Sequence, residues 1–136
     1  MQKVTTCLMF VNEQHGKAEE AMNLYVSLFK NSCVVTIDRY GPDDGVMAGS
    51  VKLATFSIDG QALMAQDGGT VHNFTFTPAT SIMVRCDSET EINDLYARLS
   101  DGGGVLMELD KYPFSEKFAW VADRFGVSWQ LNLVSA

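Results

Sequence analysis

Alternating apolar and polar positions divide the chain into short strands and two helical stretches. Val4 to Val11 is an apolar run of strand length, broken by Asn12-Glu13-Gln14-His15-Gly16. From Lys17 the apolar residues Ala18, Ala21, Met22, Tyr25, Leu28 and Phe29 recur at three-to-four spacing, predicting an amphipathic helix that ends near Asn31. Cys33 to Tyr40 reads as a second strand. Gly41-Pro42-Asp43-Asp44-Gly45 is then a turn-rich loop with its carboxylates toward solvent. Ser50 to Ile58 and Gln61 to Gln66 flank Asp59-Gly60, a hairpin signal.

The stretch 67–79 contains Gly68-Gly69, Asn73 and Pro78 and reads as a connector between halves 1–66 and 80–136 of a single domain. Beyond it, Ser81 to Cys86 is a strand. Ser88-Glu89-Thr90-Glu91 has a capping-box pattern, in which the serine hydroxyl accepts from a free amide of the first helical turn. Ile92, Leu95, Tyr96 and Leu99 form the apolar stripe of that second helix, and Gly102 to Gly104 stop it. Val105 to Leu109 is a strand, and Asp110 to Lys117 reads as an irregular crossing segment. The aromatic and β-branched runs within Phe118 to Leu133 form a hairpin around Asp123-Arg124-Phe125-Gly126.

Both halves therefore run strand, helix, strand, strand, strand. Aligning Gly60 with Gly126 sets Ala62-Leu63-Met64 against Ser128-Trp129-Gln130, and aligning Asn12 with Asp87 sets the first strand against Ser81 to Cys86. Internal duplication of a βαβββ unit accounts for this repeat. The alternative is an α+β sandwich without duplication.

Composition narrows the function classes. A chain of 136 residues with 46% hydrophobic residues can bury a core. The net charge of −7 disfavours nucleic acid and anionic membrane surfaces as partners. The N-terminal residues carry neither a signal peptide nor a membrane-span pattern, so the cytoplasm is the expected location. Cys7, Cys33 and Cys86 are odd in number and lie in or beside strands, as buried, reduced, inert thiols do.

The pattern PFSEKF…WV.D.FGVSWQL, here Pro113 to Leu131, resembles the C-terminal signature of the PhnB-like family, often labelled 3-demethylubiquinone-9 3-methyltransferase-like. That family belongs to the glyoxalase/bleomycin-resistance/dioxygenase (vicinal oxygen chelate) superfamily. The resemblance implies an α+β fold of two βαβββ modules forming a curved mixed sheet around a cavity, and a homodimer. Many superfamily members hold a divalent metal there with His, Glu or Gln from the first and last strands of each unit. The repeat places those positions at about Thr6, Met64, Ser81 and Gln130. Thr, Met and Ser are poor ligands for zinc, nickel or iron, and Gln130, with Gln66 at a shifted register, offers only neutral amides. No cofactor is therefore expected. His72, the histidine this arrangement sets nearest the cavity, reads as a solvent-facing loop residue. Methyl transfer from S-adenosylmethionine calls for a Gly-rich strand-to-helix turn, which neither Gly68-Gly69 nor Gly102 to Gly104 supplies.

Alternation in the last strand sets Trp129, Leu131 and Leu133 toward a helix and Ser128, Gln130 and Asn132 toward the implied cavity. The cavity face is expected to include Thr6, Leu8 and Phe10 from the first strand, Met64 and Gln66, and Ser81, Met83 and Arg85 from the fifth. Arg85 there would seek an anionic partner, either a ligand carboxylate or phosphonate or an acidic side chain of the protein. Trp120, Tyr112 and Phe114 have two readings, ligand stacking at the cavity mouth or core and dimer contacts. Asp123 is expected to hold its turn through backbone hydrogen bonds. Metal-free binding of a small metabolite or antibiotic-like molecule is the leading functional expectation. A metal-dependent isomerase, lyase or dioxygenase is the alternative, and a dimeric scaffold for a protein partner is the third.

Overall fold

The computed structural model describes residues 2–134. The chain divides between Thr75 and Phe76 into two compact units. The first contains β1 (Cys7–Val11), α1 (Ala18–Leu28), β2 (Cys33–Arg39), β3 (Val51–Ile58) and β4 (Gln61–Gly69). The second contains β5 (Ser81–Cys86), α2 (Glu89–Ser100), β6 (Gly104–Tyr112), β7 (Ser115–Ala122) and β8 (Ser128–Leu133). Each unit is a βαβββ module, and the protein is an α+β fold of two such modules. The sheets have the orders β1-β4-β3-β2 and β5-β8-β7-β6, with a parallel first pair and antiparallel pairs elsewhere.

In the first module, paired residues Leu8, Ala65 and Ala54 form one buried row, and Phe56 with Leu63 forms the next. These rows face the α1 side, where Ala18, Ala21, Met22 and Tyr25 are also buried. The module is fastened by Asp67, which is 2% exposed. Its Oδ1 accepts from the backbone N–H of Gly16 at 2.9 Å and Ala18 at 3.1 Å, and Oδ2 accepts from Val51 N–H at 2.8 Å. The helix has no cap from its own N-terminal side chain, so a carboxylate brought by β4 satisfies a first-turn amide and complements the helix dipole.

The second module buries Trp129 and Leu131 of β8 with Ile92, Leu95 and Leu99 of α2. The capping box forms: Ser88 Oγ accepts from Glu91 N–H, while Glu91 Oε1 accepts from Asp87 N–H. Asp123, 3% exposed, holds the β7–β8 turn. Its Oδ1 accepts from Phe125 and Val127 N–H at 2.9 and 3.0 Å, and its Oδ2 accepts from the Trp129 indole at 2.9 Å.

Four expected elements change. The first strand begins at Cys7 rather than Val4, which is 84% exposed, and α1 ends at Leu28. β4 continues to Gly69, so Asp67 is a strand residue and not part of a connector. The segment 110–117 is no irregular crossing; it completes β6, turns at Pro113-Phe114 and begins β7, with Tyr112 opposite Ser115. Irregular pairing within β6 and β7 erases the two-residue alternation that would have revealed the hairpin. The expected buried cysteines are also corrected: Cys86 is buried, but Cys7 and Cys33 are exposed. Cys7 sits on the sheet face away from α1, and Cys33 on the edge strand β2.

Candidate functional site

The two faces of each sheet follow from register. In the second module Ser81 pairs with Ser128, Met83 with Gln130 and Arg85 with Asn132, while Gln130 also pairs with Trp120 and Asn132 with Phe118. Residues paired across strands share a face, so these side chains lie opposite the face that meets α2. Met107, paired with Trp120, joins them from β6.

A pocket of about 330 Å³ opens on this face. Its apolar wall is Met83, Met107, Phe114, Phe118 and Trp120, and its polar groups are the carboxamides of Gln130 and Asn132. Phe114, 65% exposed at the β6–β7 turn, stacks on Tyr112 and meets Phe118 edge-on with centroids 5.0 Å apart. The Tyr112 hydroxyl donates to Glu108 O, and its pKa is raised by desolvation and by the Asp110 and Glu108 charges.

The polar groups are held by their neighbours. Trp120 Nε1 donates to Ser128 Oγ at 2.8 Å, Ser128 and Ser81 share a hydrogen bond of 2.7 Å, and Gln130 Nε2 donates to Ser81 Oγ at 3.2 Å. The chain of bonds fixes the indole, both hydroxyls and one end of the Gln130 amide. Ser115 Oγ donates to Asn132 Oδ1. Arg85, rooted beside Asn132, is exposed and makes no ion pair among the described residues. The acidic partner considered for it is not engaged.

The first module contradicts part of the expected face. Leu8 and Phe10 are 7% and 0% exposed and lie on the α1 side, so they cannot line an open face. Thr6 precedes β1 and is exposed; its carbonyl accepts from Met64 N–H at 2.9 Å. The open-face residues are instead Cys7, opposite Met64, and Met9, opposite Gln66. Since Met83 is the residue opposite Gln130, the repeat matches Cys7 with Met83, one residue from the register read in the sequence. A one-residue slip exchanges the two faces of a strand.

These sheet positions supply thioethers, hydroxyls and neutral amides, a set that does not fit a catalytic zinc, nickel or iron ion. Cys7 is the thiol among them; it is exposed by side-chain area, and partial desolvation raises its pKa. Among the described residues, no three His, Cys, Asp or Glu side chains converge as a metal site. The histidines have structural partners. His15 Nδ1 accepts from Gly69 N–H at 3.0 Å, and His72 Nε2 lies 2.7 Å from Gly68 O, with its ring packed on Phe74. His72 is thus half-buried and tethered, not the solvent-facing residue expected.

The model of the family described as 3-demethylubiquinone-9 3-methyltransferase matches residues 2–132. The chain belongs to that family. A structure described as a putative 3-demethylubiquinone-9 3-methyltransferase, PhnB protein, from Bacillus cereus is 50% identical, with 98% of this chain and 100% of that one covered and a TM-score of 0.92. A glyoxalase-related enzyme from Fulvimarina pelagi shares the fold at 17% identity, covering 98% and 89% of the two chains with a TM-score of 0.60. So does a genomically encoded fosfomycin resistance protein from Listeria monocytogenes, at 14% identity, 96% and 91% coverage and a TM-score of 0.63. No curated protein matches. This PhnB-like protein thus shares its fold with glyoxalase-related and fosfomycin resistance proteins. The methyltransferase in the family's description lacks its usual framework: Gly68-Gly69 close β4 with no helix directly after, and Gly102 to Gly104 follow a helix. Among the described residues, no helix is long and apolar enough to cross a membrane.

The sequence places Met83, Gln130 and Asn132 on this face, and offers Trp120 and Phe114 either as ligand-stacking residues at a cavity mouth or as core and dimer contacts. Sequence reasoning missed Met107 and Phe118. For Phe118 the available signal was its place two residues from Trp120 on one strand; Met107 had none, because the β6–β7 register shifts along its length.

Proposed function

We propose that this protein binds a small, partly apolar molecule on the open face of its second module, with no metal required. The observation that carries the reading is the pocket of about 330 Å³, whose aromatic and Met walls surround two side-chain amides. Its volume suits a metabolite-sized ligand. Trp120, Gln130, Met83, Ser81 and Arg85 are the binding residues on this reading, with Met64 and Gln66 on the open face of the first module as further candidates. We also propose a cytoplasmic homodimer, in keeping with the chain's family.

The test is a thermal-shift screen of metabolite-sized compounds on chelator-treated protein, with native mass spectrometry of the same sample. The expected result is a dimer and at least one compound that raises Tm without added metal. Compounds that act only after a divalent ion is restored would replace this reading with metal-dependent binding.

A further inference from the structure

The hydrogen-bond inventory of the pocket specifies a ligand class. Gln130 commits Nε2 to Ser81, which leaves Oε1 as an accessible acceptor with no partner among the described residues. Asn132 lies two residues along the same strand face, roughly 7 Å away at the strand repeat. Arg85 is the strand partner of Asn132, and its guanidinium forms no ion pair although the chain has 17 acidic against 10 basic residues. Arg85 is not itself in the pocket lining; it is an exposed cation on the strand next to the pocket's Asn132, a local reversal of the protein's overall charge. The apolar residues occupy the rest of the lining.

We infer that the ligand is a carboxylate with an apolar ring and an N–H close to the acid group. Its ring lies against Trp120 and Phe114, its N–H donates to Gln130 Oε1, and its carboxylate is received by Arg85. This assignment rests on the small-molecule reading above and adds the chemical class to it. An oxyanion is the group that a planar guanidinium recognises with greatest geometric selectivity. A neutral amide acceptor fixes orientation by taking one donor.

Calorimetry on the full chain with three matched probes tests the assignment: N-benzoylglycine, its methyl ester, and 3-benzoylpropionate, which replaces N–H by CH₂. The free acid is expected to bind about tenfold more tightly than the ester, and Arg85→Ala should remove that advantage. The CH₂ analogue should bind about threefold to tenfold more weakly than N-benzoylglycine, and Gln130→Leu should abolish the difference. Equal binding of acid and ester, or an acid preference that survives Arg85→Ala, overturns the carboxylate assignment. Equal binding of the N–H and CH₂ acids overturns the role of Gln130. If the wider screen finds only neutral ligands, the carboxylate class fails while the small-molecule reading stands. If it finds none, both fail.

Discussion

The two modules have one topology but fasten their last hairpins differently. In the first, Ile58 pairs with Gln61 across Asp59-Gly60, whose φ values of 48° and 83° make a two-residue turn with both residues left-handed. That geometry matches strand twist and uses no carboxylate of its own: Asp59 N–H donates to Ser32 Oγ and Gly60 N–H to Asn31 O, while the module's buried carboxylate, Asp67, holds the start of α1. In the second, five residues separate Ala122 from Ser128, and Asp123 must organise the turn itself. Its remaining oxygen holds the Trp129 indole on the buried face of β8. The opposite face of that strand then carries Gln130 and Asn132 at defined positions. A longer turn costs more chain entropy, and a buried carboxylate offsets it while stiffening the strand that bears the pocket.

Removing each carboxylate is the strongest way to break this contrast. Asp123→Ala should cost about 3–5 kcal/mol, since it leaves two backbone amides and an indole N–H without their acceptor. Urea unfolding measures the loss, and Trp129 fluorescence should shift with it. Asp67→Ala should cost about 2–4 kcal/mol and reduce helical circular dichroism without altering the pocket residues. Equal changes at Trp129 in both variants would erase the proposed division between the carboxylates.

Glycine substitutions sharpen the contrast at lower cost. A Cβ at Gly103 would lie 2.1 Å from Ala122 O, a backbone atom, whereas one at Gly68 would meet the Met9 side chain at 2.7 Å and Val11 Cγ1 at 2.9 Å. Gly103→Ala should therefore destabilise by about 3 kcal/mol and Gly68→Ala by about 1–2 kcal/mol, because Met9 has rotamers to move into. Comparable urea midpoints for the two variants would contradict this account.

The βαβββ repeat was legible because each helix carries a clear 3.6-residue stripe and each turn has its own chemistry. Ser88 with Glu91 marked a helix start, and Asp59-Gly60 marked a hairpin. The open face was legible only in the second module, where Trp129 and Leu131 alternate with Gln130 and Asn132. In β1, Cys7, Leu8, Met9, Phe10 and Val11 are all apolar, so composition does not distinguish the faces; Leu8 and Phe10 were assigned to the wrong one. Asp67 was obscured because its partners, Gly16, Ala18 and Val51, are backbone groups distant in sequence.

The thiols report burial in both modules. Cys7 and Cys33 should react with a thiol reagent in the native state, and Cys86 only on unfolding. Burial, aided by the Glu91 and Asp87 charges, pushes the Cys86 thiol up to about 12 from an ordinary 9.0. The native state holds that proton more tightly, so this stabilisation is full below pH 9 and declines as pH rises from 9 toward 12. Urea midpoints across that range should decline more steeply in the parent protein than in Cys86→Val, where Tyr112 still contributes.

The most direct measurement of the central claim is the indole N–H region of an NMR titration. The chain has two tryptophans: Trp120 lines the pocket and donates to Ser128, while Trp129 is buried and donates to Asp123. Titration with a compound from the thermal-shift screen should move the Trp120 signal and leave Trp129 in place. A compound that binds and moves neither indole, or Trp129 alone, would place the site elsewhere and contradict the account.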